Sequence, residues 1–549
     1  MSFDLVHRPW LLVQQLDGRV VEVSLADAFR QAHTLRRIAG DVPTQEFALL
    51  RLLLAVLHCA IDGPDTDRWA ELWQAPELPA DDIVRYLDTR RDRFDLLHPT
   101  TPFYQVADLR TSKDEVFGLE RLIADVPSGS PLFTARSGAA LRRITPAEAA
   151  RWLVHAHAYD VSGIKSGAAG DNRVKGGKVY PLGIGFAGSL GGVFVEGDTL
   201  RETLLLNLVS YDLPALRVDA DDAPAWELDP LGPAEQDDLR PRGLLRLYTW
   251  QSRRIRLFGD ADGITGVVLA YGDRLSPRDL HQREPLTAWR RSPAQEKLHK
   301  TVPVYLPSTH TPGRAIWRGL GAMLPGTAGR GRGGEPAANL DPMILEWISA
   351  AANQRLLDRR HIRLRAIGAV YGTQQSVIDD IVDDAVTMPV RAITEPEAAA
   401  EVQAAAHDAD QGVRALVALA RDLLRAAGVR DDRRTDGVRD ETTAEAYGAL
   451  DQRFRDWLRD LTDGVDLAAA RTAWQTQVAT TLRRLAERMV ADAGPAAWAG
   501  RDIDGTLLNS SRAEVWFRIQ LAKALPLANQ TRQSTAGSTN PTQEEAALT

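Results

Sequence analysis

Cysteine is nearly absent from this sequence, which contains Cys59 and no second thiol in 549 residues. A single thiol cannot form a disulfide within the chain, and it cannot supply the several thiolates of a structural zinc or iron–sulfur site. The composition therefore excludes a disulfide framework and a multi-thiolate metal centre, and we expect no metal and no other cofactor.

The sequence also lacks a long apolar run and an excess of positive charge. The strongest apolar run, residues 47–61, contains Arg51 and is shorter than the ~20 apolar residues of a membrane-spanning helix. We predict a buried helix there and, because the N-terminus shows no secretory signal pattern, a cytoplasmic protein that has no membrane partner. The formal net charge of −8 argues against a protein that coats itself with nucleic acid, but it does not exclude a local basic groove.

Recognised catalytic motifs are missing as well. The sequence contains no nucleophile-elbow, zinc-protease, phosphate-loop or kinase pattern. His155 and His157 are spaced i, i+2, which places them on different sides of a helix, so we predict an interfacial or exposed pair rather than a metal site. The acidic pairs at 379–380 and 383–384 are interpreted as a solvated helix start. Without a catalytic set, a binding protein is favoured over an enzyme.

The composition changes near residue 390 and predicts two kinds of structure. Upstream, β-like runs alternate with turns and helical stretches; the runs are residues 9–15, 244–250, 254–258, 266–271 and 302–306. Downstream, amphipathic helical segments span residues 394–427, 442–463, 466–493 and 509–525. We predict an α+β protein with a large mixed α/β N-terminal domain of long irregular loops at 1–390. An all-α four-helix bundle follows at 391–526, and a disordered tail at 527–549.

Two loops are candidate ligand-binding segments. Residues 163–192 are rich in glycine and carry the cations Lys165, Arg173, Lys175 and Lys178. Glycine allows close backbone approach and cations suit phosphates, so one interpretation is an enzyme of unfamiliar class that binds a phosphate or nucleotide here; a plain surface loop is the other. Residues 128–138 carry Phe133, which suits base stacking or a wedge, although an ordinary loop anchor is the simpler interpretation.

Several short anchors along the chain resemble one known family, CasA, the large subunit of the type I-E CRISPR Cascade complex. Each anchor is weak alone, but their order and spacing are specific, and they extend over about residues 1–525. The anchors are Trp10 with the aliphatic residues after it, FDLLH at 94–98, PFYQ at 102–105, the glycine segment 183–192 with TLLLN at 203–207, Trp226, and YTWQ at 248–251.

The resemblance implies a non-catalytic subunit of a guide-RNA complex used in antiviral defence. Such a subunit recognises the protospacer-adjacent motif in double-stranded DNA, promotes duplex opening and R-loop formation, and helps to recruit a trans-acting nuclease–helicase. The implied partners are therefore the DNA target, the guide RNA, the other Cascade subunits and the nuclease–helicase.

The resemblance also assigns candidate DNA-binding residues. Gly183, Ile184 and Gly185 match the family's glycine loop, which lays backbone along the minor groove, and Lys175 and Lys178 lie in the same glycine-rich segment.

Three further positions match the family's DNA-contacting features. Phe133 falls in its mobile loop near the motif, and Arg274 falls near its groove-reaching lysine. Gln374 and Gln375 match an amide pair at the tip of a hairpin, the glutamine wedge. Some relatives carry a cysteine cluster before that lysine, whereas residues 258–264 here contain none, and the loop 324–337 is interpreted as a linker rather than a basic contact.

Overall fold

The computed structural model of the chain describes residues 2–126, 134, 136, 138–236, 240–324, 335–429, 431–503 and 505–528. Within these ranges the chain forms two compact units: one contains residues 2–314 and 335–385, and the other contains residues 315–324 and 386–528. The domain boundary at residue 390 stays a prediction, and the predicted tail lies almost entirely outside the described residues, as do Phe133 and most of the loop 324–337.

Strands and helices alternate through the first unit, and long helices dominate the second. The strands are β1 (Leu11–Gln15), β2 (Val20–Val23), β3 (Leu35–Ile38), β4 (Lys165–Ser166), β5 (Lys178–Val179), β6 (Gly192–Glu196), β7 (Arg253–Asp260), β8 (Gly263–Tyr271), β9 (Trp289–Arg291), β10 (Tyr305–Pro307), β11 (Asn339–Leu340), β12 (His361–Tyr371), β13 (Ile378–Pro389), β14 (Arg501–Ile503) and β15 (Thr506–Leu508). The helices are α1 (Leu25–Arg30), α2 (Pro43–Ala60), α3 (Thr66–Gln74), α4 (Ala80–Asp88), α5 (Pro146–Tyr159), α6 (Leu200–Leu206), α7 (Leu244–Tyr248), α8 (Pro293–His299), α9 (Met343–Asn353), α10 (Arg391–Thr394), α11 (Pro396–Ala427), α12 (Asp432–Arg459), α13 (Leu467–Ala491), α14 (Gly494–Ala499) and α15 (Ser510–Ala524).

The apolar run near the N-terminus forms the buried helix α2, as predicted. Its one charged interruption, Arg51, is 2 % exposed and forms an ion pair at 2.8 Å with Glu284, which is fully buried. Pairing compensates the loss of hydration of both charges, which explains how an arginine is accommodated in this helix. None of the helices in the described ranges is long and apolar enough to cross a membrane.

The strands form several small sheets rather than one large sheet. The described strands are ordered β2-β1-β3, β10-β9-β11 and β13-β12-β6, with the two-stranded sheets β7-β8, β4-β5 and β14-β15. Strand β6 pairs antiparallel with β12 through residues 192–196, and β12 also pairs with β13. The α+β class is confirmed, and so are the predicted strands near 9–15, 254–258 and 266–271.

Two local predictions are wrong. Residues 244–248 form the helix α7 rather than a strand, because the Asp222 carboxylate accepts hydrogen bonds from the amides of Leu245 and Arg246 and so caps the helix start. The acidic pairs at 379–380 and 383–384 lie in strand β13 rather than at a helix start, and Asp383 accepts two hydrogen bonds of 2.8 Å from Arg365 on the neighbouring strand.

The second unit contains the four long helices that the sequence predicts. Helices α11, α12, α13 and α15 match the predicted segments, although α12 starts at Asp432, ten residues before the predicted start. Trp474 and Phe454 are fully buried between them. The short helix α14 and the β14-β15 hairpin connect α13 to α15, so the unit is not purely helical.

Candidate nucleic-acid interface

The turn between strands β12 and β13 exposes two amide side chains. Gln374 and Gln375 are both exposed, and both have a left-handed backbone, with φ of 56° and 57°. The Gly372 amide donates to the Val377 carbonyl at 3.1 Å and closes the turn. A hairpin that carries both amides at its tip is therefore present where the sequence places it.

Two consecutive left-handed glutamines are conformationally costly. The left-handed region costs most L-residues roughly 1–2 kcal/mol each, whereas glycine and asparagine occupy it more readily. Backbone hydrogen bonds compensate part of this cost: the Ser162 amide donates to the Gln375 carbonyl at 2.8 Å, and the Gln375 amide donates to the Gly372 carbonyl at 2.9 Å. Strain retained at an exposed tip marks a candidate functional position.

The glycine loop, residues 183–185, precedes the 3₁₀ turn Phe186–Ser189 and is held by hydrogen bonds to its own backbone groups. The Arg253 guanidinium donates to the Gly183 carbonyl at 2.9 Å, and the Gly185 amide donates to the Asp160 carbonyl at 2.9 Å. Gly183 has a φ of 114°, and a Cβ at this position would meet no other atom within 4 Å. At Gly185 a Cβ would lie 2.5 Å from the backbone of Ala158, so this glycine is required for packing.

The segment 159–163, which begins at the last residue of helix α5, joins the glycine loop to the hairpin. Tyr371, at the end of β12, donates its hydroxyl hydrogen to the Tyr159 carbonyl at 2.8 Å. The same segment receives the Gly185 amide and donates the Ser162 amide to the hairpin tip. Two predicted sites that lie about 190 residues apart in sequence are therefore attached to one stretch of backbone.

One open cavity of about 240 Å³ brings the main predicted residues together. Its lining includes Gly183, Ile184 and Gly185 from the glycine loop, Arg274 from the segment after β8, and Gln375 from the hairpin. The sequence suggested these residues separately, and the fold places them around one concavity.

Arg274 stands at the rim of this cavity with most of its side chain in solvent. Its side chain is 60 % exposed, and its Nε donates to Oε1 of Glu235 at 3.0 Å. Glu235 is 18 % exposed and also pairs with Arg173 at 3.1 Å, so its carboxylate keeps a cationic partner if the exposed Arg274 guanidinium turns to a phosphate.

The electrostatics beneath the cavity depend on the buried carboxylate of Asp160. Burial alone would raise its pKa, but the neighbouring cations Lys165 and Arg253 lower the pKa below its ordinary value. The Lys165 ammonium lies 2.7 Å from Oδ2 of Asp160, and Arg253 also bonds this carboxylate. The carboxylate stays ionised and holds both cations in place, so neither is available to a ligand.

The four cations of the glycine-rich segment do not converge. Lys165 is paired with Asp160, and Arg173 is paired with Asp171 at 2.8 Å. Lys175 and Lys178 are exposed on the β4-β5 hairpin, outside the cavity lining, and form no ion pair with any described residue. A phosphate cradle in this segment, the alternative interpretation of the sequence, therefore has no converging cations in the described structure.

The histidine pair of helix α5 is buried, so the prediction of an interfacial or exposed pair is wrong. His155 and His157 are 0 % and 2 % exposed, and burial lowers the pKa of each to about 3. His155 bonds Thr44 at 2.9 Å, and His157 bonds the Tyr104 carbonyl at 2.8 Å. Across the described ranges, no three His, Cys, Asp or Glu side chains are grouped as metal ligands.

Sequence reasoning missed the residues that hold the site together. Arg253 bonds Asp160, the Val161 carbonyl and the Gly183 carbonyl, and it is 2 % exposed. The available pattern was the pair Arg253–Arg254 at the start of a strand that continues with the apolar residues Ile255, Leu257 and Phe258, since buried charges require partners. Phe133 lies outside the described residues.

Solved structures share this fold over almost the whole chain. The chain superimposes on the crystal structure of Thermobifida fusca Cse1 with a TM-score of 0.89, at 52 % identity, covering 96 % of this chain and 99 % of that chain. A chain described as a CRISPR RNA-guided surveillance complex has the same fold, with a TM-score of 0.67 at 17 % identity, covering 95 % of this chain and 99 % of that chain. The fold is that of a CRISPR-associated protein.

Sequence comparison gives the family. The family model described as CRISPR-associated protein Cse1 matches residues 4–485. The CRISPR-associated protein CasA/Cse1 of Thermus thermophilus is 33 % identical over 445 residues, which cover 78 % of this chain and 80 % of that protein. The chain belongs to the CRISPR-associated Cse1 family, also called CasA, and the resemblance found in the sequence is confirmed.

Proposed function

We propose that this chain is the non-catalytic large subunit of a CRISPR RNA-guided complex of the Cascade type. In that complex it recognises the protospacer-adjacent motif in double-stranded DNA, promotes duplex opening and R-loop formation, and helps to recruit a nuclease–helicase. Its partners are the guide RNA, the other Cascade subunits, the target duplex and the nuclease–helicase, and it acts in the cytoplasm. Membership of the Cse1 family supports the link to a CRISPR system.

The observation that carries the proposal is the shared cavity. A glycine loop, an exposed arginine and an amide hairpin line one concavity of about 240 Å³. At Gly183 the backbone can approach a ligand closely, because a Cβ there would point into open space. The minor groove displays a sparse set of donors and acceptors, which suits reading by a short stretch of backbone with limited sequence discrimination.

The hairpin supplies the opening step. Each glutamine amide offers two N–H donors and one carbonyl acceptor, so it can occupy the space of a displaced base pair and satisfy the groups left there. Unstacking a base step costs a few kcal/mol, which the guide RNA recovers by pairing with the released strand. Because the tip is fixed to the segment 159–163, the amides are held in place relative to the glycine loop.

The first test replaces both amides while keeping the turn. We expect Gln374→Gly with Gln375→Gly to leave assembly and motif binding intact and to reduce R-loop formation by at least tenfold. Glycine is chosen because alanine would retain the left-handed strain, whereas glycine adopts these angles freely. R-loop formation is measured by permanganate footprinting of a matched target with the reconstituted complex.

The matched control is Gln374→Asn with Gln375→Asn, which shortens the reach of each amide but retains its donors and acceptor. We expect an intermediate rate of opening. Equal R-loop formation by the glycine variant and the unchanged protein would reject the wedge. A gel shift of the complex with and without this chain, on duplexes with and without the motif, tests motif recognition itself.

A further inference from the structure

A second cavity of the first unit is lined by four arginines. Its volume is about 310 Å³, and its cationic lining residues are Arg93, Arg240, Arg242 and Arg246. The acidic residues in the same lining are Asp221, Asp229 and Asp273. We call this cavity the arginine pocket.

Arg246 is the residue of the arginine pocket that is best placed to bind an anionic ligand. Its guanidinium lies 5.5 Å from the ring centroid of Trp250, and among the described residues it has no hydrogen-bond or ion-pair partner. Burial lowers the pKa of Arg246, although the carboxylates of Asp273 and Asp222 partly offset this effect. The Arg246 side chain is partly exposed and none of its nitrogens is sealed from solvent, so the guanidinium is accessible to an anion that enters the pocket.

The neighbouring charges of the pocket are only partly neutralised. Arg93 donates to the carbonyl oxygens of Leu228 and Ala225, at 2.7 and 3.2 Å, and these uncharged acceptors leave its positive charge in place. Arg242 forms a surface ion pair with Asp221 at 3.4 Å. The Asp222 carboxylate caps helix α7 through two backbone amides, so it is already occupied.

The arginine pocket and the cavity of the glycine loop share a wall. Asp273 lines both cavities. The buried guanidinium of Arg254 neutralises this carboxylate at 2.6 Å, and the Trp250 indole donates to the Asp273 carbonyl at 3.0 Å. The wall is therefore fixed in position, and the positive charge of Arg254 cancels the negative charge of Asp273. The wall does not repel an anion that binds in the arginine pocket.

From this arrangement we infer that the arginine pocket binds a backbone phosphate of a single-stranded nucleic-acid segment that passes the glycine loop, with Arg246 as its main ligand. The inference rests on the proposed function, because it takes the shared wall as part of a nucleic-acid path. Guanidinium matches phosphate geometry and stays charged at all physiological pH values. The volume of the pocket suits a phosphate with its sugar and does not suit a duplex.

The test compares Arg246→Gln with Arg246→Lys and the unchanged full-length chain. Binding of a fluorescein-labelled single-stranded oligonucleotide without the motif is measured by anisotropy over a range of salt concentrations. We expect Arg246→Gln to decrease the steepness of log affinity against log salt by about 0.7, the value for one single-strand phosphate contact. Arg246→Lys retains the charge and is expected to restore the slope, and Arg19→Gln, which removes a 73 % exposed arginine elsewhere, is the control.

Two further experiments distinguish a nucleic-acid backbone phosphate from free inorganic phosphate. Isothermal titration with inorganic phosphate should detect no binding at millimolar concentration, and an oligonucleotide with a methylphosphonate backbone should bind the unchanged chain and Arg246→Gln equally. Phosphate binding that is lost in Arg246→Gln, without any change in oligonucleotide binding, would show a free-anion site and overturn the strand assignment. An unchanged salt slope would overturn it as well.

The two proposals fail separately. The oligonucleotide carries no motif and the isolated chain needs no guide RNA, so the slope measurement is independent of motif recognition. Suppose that Arg246→Gln decreases the salt slope while the glycine variant of the hairpin opens the duplex normally. That pair of results would retain the arginine pocket and reject the wedge. The thermal unfolding midpoint of Arg246→Gln should stay unchanged, because the guanidinium makes no hydrogen bond to the described fold.

Discussion

At the scale of single residues, the two glycines of the glycine loop have different physical roles. Gly183 has a left-handed φ and open space where a Cβ would stand, whereas Gly185 packs directly on the backbone of Ala158. The first is free to contact a ligand, and the second is required for the loop to adopt its position at all. Sequence resemblance treats the two as one motif, and only the contacts separate them.

This difference predicts opposite outcomes for two alanine variants. We expect Gly183→Ala to destabilise the fold by about 1–3 kcal/mol, because alanine rarely adopts a φ of 114°, and to weaken binding of motif-containing duplex by the complex. Gly185→Ala should instead lower the stability of the isolated chain by several kcal/mol, because neighbouring backbone would have to move. Urea unfolding gives the stabilities, and gel shifts with and without the motif give the binding.

A different result would contradict the prediction for each of the two alanine variants. Loss of motif-free binding alone in Gly183→Ala would mean that the loop does not read the motif. Normal stability of Gly185→Ala would mean that the loop can shift away from helix α5.

At the scale of elements, the helical unit includes a segment from elsewhere in the chain. The 3₁₀ helix Ile316–Ala322 lies in the second unit, and the ring of Trp317 stacks on Phe454 of α12 at 4.3 Å between centroids. Its indole also donates to Oδ1 of Asp451 at 2.7 Å. A fully buried tryptophan thus completes the packing of helix α12.

We expect Trp317→Ala to destabilise the second unit by about 3–5 kcal/mol, since it removes a large buried ring and leaves a cavity. Trp498 on helix α14 is the control, because it is 55 % exposed and its replacement by alanine should change stability by less than about 0.5 kcal/mol. Chemical denaturation followed by far-ultraviolet circular dichroism measures both. Similar losses for the two variants would contradict the packing role of the segment.

At the scale of the whole molecule, buried imidazoles make stability depend on pH. His58, His155 and His157 are nearly inaccessible, and burial lowers the pKa of each from about 6.5 to about 3. The unfolded chain binds protons at these sites below pH 6.5, while the folded chain does not until about pH 3. Their stabilising contribution is therefore complete above pH 6.5 and is lost as the pH falls through this interval.

Replacing one of these histidines should make the pH dependence of the free energy of unfolding smaller by the contribution of one proton. His58 stacks on Tyr211 at 5.4 Å, so phenylalanine fills the same space. Between pH 5.5 and 4.5 we expect the free energy of unfolding to fall less steeply in His58→Phe, by about 1.4 kcal/mol per pH unit. Urea unfolding across this range measures the slope, and His407→Phe at an exposed position should leave it unchanged. An unchanged slope in His58→Phe would show that His58 binds protons equally in the folded and the unfolded chain, which would contradict the lowered pKa.

Local patterns were sufficient for part of this architecture. The long helices and the buried helix α2 follow from periodicity and apolar content, because the residues within each segment are sufficient to predict a helix. Residues 244–248 became a helix through a cap supplied by Asp222, and the acidic segment became a strand through Arg365 on its neighbour. These partners lie well away along the chain, so no local pattern could identify them.

The candidate site shows the same limit. The amide pair and the glycine loop were visible in the sequence, but the segment 159–163 that connects them was not, because its contribution consists of backbone amides and carbonyls. Every residue type except proline offers the same backbone N–H and C=O groups, so their use at a site leaves almost no trace in residue type.

The position of Trp317 in the helical unit also affects synthesis of the chain on the ribosome. Its stacking partner, Phe454, follows 137 residues later. At about 5–20 residues per second, the nascent chain carries the exposed indole for roughly 7–27 seconds before Phe454 of helix α12 is synthesised. Slower translation between these two positions lengthens the interval in which nascent chains can associate through this apolar segment, so codon choice over residues 318–454 influences the yield of folded protein.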